Sequence, residues 1–140
     1  PVASTLATLG VKRGLVVWGE PGLDEISTTG ESKLAFVEGG KITFSSFHPE
    51  EAGFPVRNIE ELRGGTPAEN ARIFVNILGG EEKGARREAV VLNSAFLLWI
   101  GEEAQDLEEA IEKVEEAIHS GRALQTLKRV VKVSRALEGE

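Results

Sequence analysis

A chain of 140 residues, 41% of them hydrophobic and 28% charged, is long enough for one domain with a hydrophobic core and has an ordinary soluble-globular composition. A net charge of −7 argues against nucleic-acid binding, which needs a basic stripe, and the absence of cysteine excludes disulfides, thiolate metal sites and a cysteine nucleophile. The longest apolar stretch, Ala89 to Ile100, is broken by Asn93 and Ser94 and is too short to span a bilayer; no signal peptide is visible, so a cytoplasmic chain without a membrane partner is expected.

In chain order, Val2 to Leu9 reads as the end of a helix with Gly10 as its C-cap. A strand, Gly14 to Trp18, follows at once. A helix feeding a buried parallel strand belongs to a βαβ unit, which needs an earlier strand. The chain opens at Pro1 and contains no methionine, so it is expected to be the C-terminal part of something longer. A loop from Gly19 to Gly30 carries turn signals at Glu20-Pro21-Gly22 and Thr28-Thr29-Gly30. Lys33 to Val37 and Lys41 to Phe47 flank Glu38-Gly39-Gly40 and predict a hairpin, with Ile42-Thr43-Phe44-Ser45 alternating so that one face is buried. Phe47-His48-Pro49-Glu50 leaves the sheet.

From about Asn58 the pattern is helical. Thr66 as N-cap, Pro67 in the first turn and Glu69 closing a capping box start a helix that runs to Leu78 and stops at Gly79-Gly80. The next, Ala85 to Ile100, is apolar nearly all round and should be central. A third starts near Asp106 with Leu107, Ala110, Ile111, Val114, Ala117 and Ile118 on one face. A fourth, Ala123 to Leu137, is expected to turn Leu124, Leu127, Val130 and Val131 inward. The fold class is therefore α/β: part of a mainly parallel sheet with a β-hairpin, covered by C-terminal helices.

The segment Gly22-Leu23-Asp24-Glu25-Ile26-Ser27 carries the chemistry. Two adjacent carboxylates follow the apolar strand Leu15-Val16-Val17-Trp18, and in open α/β sheets ligands bind outside the carboxyl ends of strands. Such a pair suits Mg²⁺, a hard cation that takes oxygen ligands and travels with substrate phosphates. The plainer alternative is a solvated surface pair. Gly19 and Gly22 permit close approach of backbone to ligand. His48 and His119 lack metal-ligand spacing and read as structural or exposed. Asn93, in the most apolar helix, must bond a loop or neighbouring backbone and so could brace the site. Lys83, Arg86 and Arg87 read as a solvated helix end, Gly64-Gly65-Thr66 as the approach to a helix, and Ser4, Thr5 and Ser27 lack a His/Asp pair for a triad.

The stretch Leu6 to Ser27, with its Val-Val-Trp-Gly-Glu-Pro-Gly-Leu-Asp-Glu run, resembles the anthranilate phosphoribosyltransferase family. Pro49-Glu50-Glu51-Ala52-Gly53, Asn70-Ala71, Gly79, Lys83-Gly84 and Asn93-Ser94 recur in that family's order, so the resemblance spans nearly the whole chain. Two departures stand out: Trp18 where the family often has His, expected to pack against the site, and Ser94 for a usual Ala. The family's Gly-Thr-Gly-Gly-Asp phosphate loop, Asn-x-Ser-Thr segment and Lys-His-Gly-Asn-Arg stretch have no counterpart here.

The resemblance implies that residues 1–140 are the C-terminal part of a nucleoside phosphorylase/phosphoribosyltransferase-like α/β domain. The helical N-terminal domain, through which the family forms homodimers, and the phosphate-binding segments are absent from this sequence. It implies transfer of phosphoribosyl from phosphoribosyl diphosphate to anthranilate with release of pyrophosphate, a step of tryptophan biosynthesis. Asp24 and Glu25 would hold Mg²⁺, and the 140 residues alone would be inactive. The alternatives are a nucleoside phosphorylase of the same fold, which the acid pair disfavours, and a non-enzymatic binding or assembly module.

Overall fold

The computed structural model describes residues 1–137; residues 138–140, the end of the expected domain, lie outside it. A short helix, α1 (Val2–Thr8), leads into β1 (Arg13–Gly19), β2 (Ser32–Glu38) and β3 (Lys41–Phe47). They form one sheet in the order β1-β2-β3. β2 and β3 make the predicted hairpin, with Val37 opposite Ile42 across a turn in which Gly39 and Gly40 have φ of 55° and 80°. Glycine adopts two such successive values without strain.

The α/β class holds. The expectation of a mainly parallel sheet, however, does not extend to these three strands: β1 also pairs antiparallel with β2, Val17 opposite Leu34. The connection 20–31 contains no helix that could carry the chain back across the sheet, and a parallel pair requires such a crossover.

The sheet separates two apolar layers by the strand alternation of side chains. On one face Leu15, Val17, Leu34, Phe36 and Phe47 pack with Leu92, Phe96 and Trp99. Edge-to-face aromatic contacts, Phe47–Phe96 at 5.0 Å and Phe36–Trp99 at 5.5 Å between centroids, lock this layer. On the other face Val16, Ala35, Val37 and Ile42 meet Ala3, Leu6 and Ala7 of α1. α1 is only seven residues long and covers that face in part. The expected burial of one hairpin face therefore holds at Ile42 and fails at Phe44, which is 77% exposed.

Two 3-10 turns, Pro49–Ala52 and Ile59–Leu62, lead to the helices α2 (Pro67–Leu78), α3 (Ala85–Ile100), α4 (Leu107–His119) and α5 (Arg122–Leu137). The predicted capping box starts α2: the Glu69 N–H donates to Thr66 Oγ1, and the Thr66 N–H to Glu69 Oε2. α3 is central as expected. Its Leu92 and Phe96 face the sheet, while Val91 and Ala95 face Ala110, Val114 and Ile118 of α4. One residue, Leu97, breaks the pattern and points outward, 75% exposed.

Across the α3–α4 seam, Arg87 pairs through two nitrogens with both oxygens of Glu115. Arg87 is thus not a solvated helix end. Arg86 is also engaged, donating to the Arg63 carbonyl; only Lys83 of that trio is exposed.

The inward face expected of α5 stops halfway. Leu124 and Leu127 are half-buried, but Val130 and Val131 are exposed, because α5 meets α4 and α2 near its start and then runs past them. Its polar side carries Arg122, Lys128, Arg129, Lys132 and Arg135 and no acid.

Candidate functional site: an acid pair at the end of β1

β1 ends at Gly19, and the backbone turns at once. The Gly19 N–H donates to the Leu23 carbonyl at 2.9 Å, and the Leu23 N–H donates back to the Gly19 carbonyl at 2.7 Å. A Cβ on Gly19 would stand 2.5 Å from the Glu25 carbonyl oxygen and 2.9 Å from Ser27 Cβ, so only glycine fits where the loop returns over the strand.

Hydroxyls close the loop's far side. Ser27 Oγ donates to the Glu20 carbonyl (2.6 Å), Thr29 Oγ1 donates to the same oxygen (2.9 Å), and the Ser27 N–H donates to Ser32 Oγ (2.8 Å). Ser27 and Ser32 are completely buried. Ser27 is thus part of the loop's frame and not a nucleophile. The Thr28 carbonyl accepts from the Arg57 N–H at 2.8 Å, tying the loop to the segment after the hairpin.

Asn93 supplies the third anchor. Its Oδ1 accepts from the Ile26 N–H at 2.8 Å, and its Nδ2 donates to the Ile26 carbonyl at 2.9 Å and to the Ala89 carbonyl at 3.0 Å. The expected bonds from Asn93 to a loop and to neighbouring backbone are both present.

Asp24 and Glu25 lie between the two clamped residues, Leu23 and Ile26, at the carboxyl end of β1. Both side chains are exposed, and among the described residues neither forms an ion pair or accepts a hydrogen bond. Partial burial, and then the neighbouring Asp24 charge, push the Glu25 carboxyl above its ordinary value. An ionised pair in this position is electrostatically unsatisfied.

Both acids border a cavity of about 280 Å³ walled by Leu15, Val17, Phe96 and Ile100. Glu25 and Asn93 also border a second, of about 430 Å³, between α2 and α3, where Ile73, Phe74, Ile77 and Arg86 face it. Two carboxylates are hard oxygen donors, and among the described residues no group of three or more His, Asp or Glu gathers to hold a metal. That donor set fits Mg²⁺, which is commonly bound by one or two carboxylates with waters and substrate phosphates in its other positions.

The other sequence candidates fall away from this rim. Trp18 does not pack against the site: it shares the α1 side of the sheet with Val16, is 45% exposed, and has Lys33 Nζ 5.2 Å above its ring. Strand parity sends it there, since Leu15 and Val17 face α3. His48 sits at the start of a 3-10 turn beside Glu50, and His119 ends α4, as structural readings expect. Gly64 and Gly65 are the approach to α2: Asn70 Oδ1 accepts from the Gly65 N–H at 2.8 Å. Sequence reasoning gave no role to Arg57, whose partners Thr28 and Glu88 lie in distant segments.

The sequence profile described as "Glycosyl transferase family, a/b domain" matches residues 1–124, and the chain belongs to that family. Similarity to particular members is close over nearly the whole length. The anthranilate phosphoribosyltransferase of Petrotoga mobilis is 42% identical over 137 residues, which are 98% of this chain and 40% of that protein. That of Rubrobacter xylanophilus is 40% identical, covering 99% and 41%. The crystal structure of anthranilate phosphoribosyltransferase (TrpD) from Thermus thermophilus superposes with a TM-score of 0.84 at 38% identity, over 96% of this chain and 39% of that one. The Saccharomyces cerevisiae enzyme in complex with PRPP and Mg gives 0.75 at 30% identity, over 83% and 33%. The chain therefore spans about two fifths of the length of the Petrotoga mobilis and Rubrobacter xylanophilus relatives.

Proposed function

We propose that this chain serves as the C-terminal part of the α/β domain of an anthranilate phosphoribosyltransferase, and that Asp24 and Glu25 hold Mg²⁺ against the diphosphate of phosphoribosyl diphosphate. The observation that carries the reading is the unpaired acid pair, fixed at the carboxyl end of β1, with both acids on the rim of one cavity and Glu25 on that of a second. The named relatives support the substrate pair, and the yeast enzyme's complexes with PRPP and Mg and with 4-fluoroanthranilate support metal and acceptor.

In this reading phosphoribosyl passes to the amine of anthranilate and pyrophosphate leaves. Mg²⁺, when bound, stabilises negative charge on the departing diphosphate as a Lewis acid and template. The chain's own part is positioning. Asp24 and Glu25 present oxygen ligands, and the hydroxyl frame and Asn93 keep the loop from relaxing. No base is needed from this chain, because the aromatic amine is itself the nucleophile.

The phosphate-binding segments and a helical dimerisation domain belong, in this proposal, to the rest of a longer cytoplasmic protein. The 140 residues alone are inactive in it. β1 pairs with no strand on its outer side among the described residues, which agrees with a sheet completed by other segments. Among the described residues no helix is long and apolar enough to cross a membrane.

The test is a Mg²⁺ titration of the complete enzyme carrying Asp24→Asn or Glu25→Gln. Both variants should fold and need more Mg²⁺ for a lower maximal turnover. Turnover unchanged across the titration in both would remove the metal role. Assaying phosphate with a nucleoside alongside separates the phosphorylase alternative.

A further inference from the structure

Asn93 and the acid pair are 68 and 69 residues apart in sequence, yet one amide group joins their segments. The amide meets both main-chain groups of Ile26, accepting from its N–H at 2.8 Å and donating to its carbonyl at 2.9 Å. This is the two-bond pattern of a strand neighbour, supplied by a side chain. The third bond, to the Ala89 carbonyl at 3.0 Å, holds the amide against its own helix and fixes its orientation, since Nδ2 faces two carbonyls and Oδ1 one N–H. Ile26 is 2% exposed and packs in the layer between sheet and α3. On the other side, Gly19 lies under the Glu25 carbonyl with no room for a Cβ.

We infer that Asn93 is a positioning residue that sets the cation affinity of Asp24 and Glu25 by fixing the backbone immediately after them. The inference rests on the metal role proposed above. Two adjacent acids on an extended backbone point to different sides, so bringing both to one ion demands a particular turn at 24–26. Their mutual repulsion opposes that turn whenever no cation is bound. The Asn93 bonds hold it in advance, so binding the ion carries less ordering cost. Few other side chains of similar size could do this: Asp lacks the donors, and Ser and Ala cannot reach both groups of Ile26.

The experiment measures Mn²⁺ binding, by electron paramagnetic resonance, to the complete enzyme in four forms: unaltered, Asp24→Asn with Glu25→Gln, Asn93→Ala, and Thr66→Ala. Thr66→Ala is a destabilised control whose change lies at the start of α2. Asn93→Ala is expected to weaken Mn²⁺ binding tenfold or more, to speed amide exchange at Ile26, and to recover much of its turnover at high Mg²⁺. Thr66→Ala should leave Mn²⁺ affinity unchanged. If Asn93→Ala does not fold, Asn93→Ser, whose shorter hydroxyl bonds the Ala89 carbonyl of its own helix instead of Ile26, is read by the same criterion. Unchanged Mn²⁺ affinity in a folded Asn93 variant, with binding lost in the double acid variant, overturns the positioning role alone. Unchanged affinity in the double acid variant overturns the metal reading and this inference with it.

Discussion

Arg57 grips Glu88 with two nitrogens: Nε and Nη2 donate to the two carboxylate oxygens at 2.7 and 2.5 Å. The same residue's N–H donates to the Thr28 carbonyl. One arginine thus joins the segment after the hairpin, the first turn of α3 and the far side of the acid-pair loop. The hydrogen bonds to Glu88 make the guanidinium still harder to deprotonate. Arg57→Met should lower the thermal midpoint and speed amide exchange around Thr28. Arg57→Lys should restore only part, because an ammonium cannot form the paired bonds. Equal calorimetric midpoints for all three proteins would deny the pair any part in stability.

Leu92 is fully buried where α3 meets the sheet. Leu92→Ala should cost about 2–5 kcal/mol, the range for a large core side chain cut to a methyl group. Urea melts monitored by Trp fluorescence measure it. A loss below about 1 kcal/mol would mean that the layer between α3 and the sheet collapses to fill the gap.

Gly19→Ala should act on the reaction more than on the fold. The new methyl group has a backbone oxygen 2.5 Å away, so the loop carrying Glu25 must move. A displacement of about 1 Å at a positioning group can cost about 100-fold in rate. Unaltered circular dichroism with such a fall in Mg²⁺-dependent turnover is the expected pair of results. Full activity would show that the loop's path is not critical.

Stability should fall in acid through the helix caps. Hydrogen bonds from Thr66 hold the Glu69 carboxyl below its ordinary value of 4.5, and those from the Gln105 N–H and Lys113 do the same for Glu109. A carboxyl whose folded value is depressed favours the fold above its unfolded value and loses that contribution as pH falls through the folded one. The thermal midpoint of the Glu69→Gln, Glu109→Gln double variant should therefore lie below that of the parent protein above the ordinary value of 4.5, with the gap narrowing as pH falls below it. A gap that stays constant down to about pH 3 would contradict the assignment.

Local chemistry was legible in the sequence, and long-range pairing was not. The capping box at Thr66 and Glu69 spans four residues and needs no partner, so its pattern predicts its geometry. The apolar face of α4 is equally self-contained. The acid pair was legible as a position, after an apolar strand and between glycines. What holds it in place was legible only as a demand, since a polar Asn93 in an apolar helix needs partners but does not name Ile26. The antiparallel pairing of β1 depends on the path of residues 20–31, and turn signals alone do not give a direction. Trp18 shows the opposite case. Its alternation with Leu15 and Val17 already assigned it to the face away from α3, and the family pattern at that position pointed the other way.

The charge on α5 has one last consequence. An acidic molecule carries along one ridge five cations and no anion, beside an α4 whose outer side bears Glu108, Glu112 and Glu116. The two stripes meet within one molecule: Arg122 pairs with Glu116 at 3.0 Å, so opposite charge helps to hold the start of α5 against α4. Physiological salt, with a screening length of about 8 Å, would weaken that attraction between exposed side chains and loosen the seam.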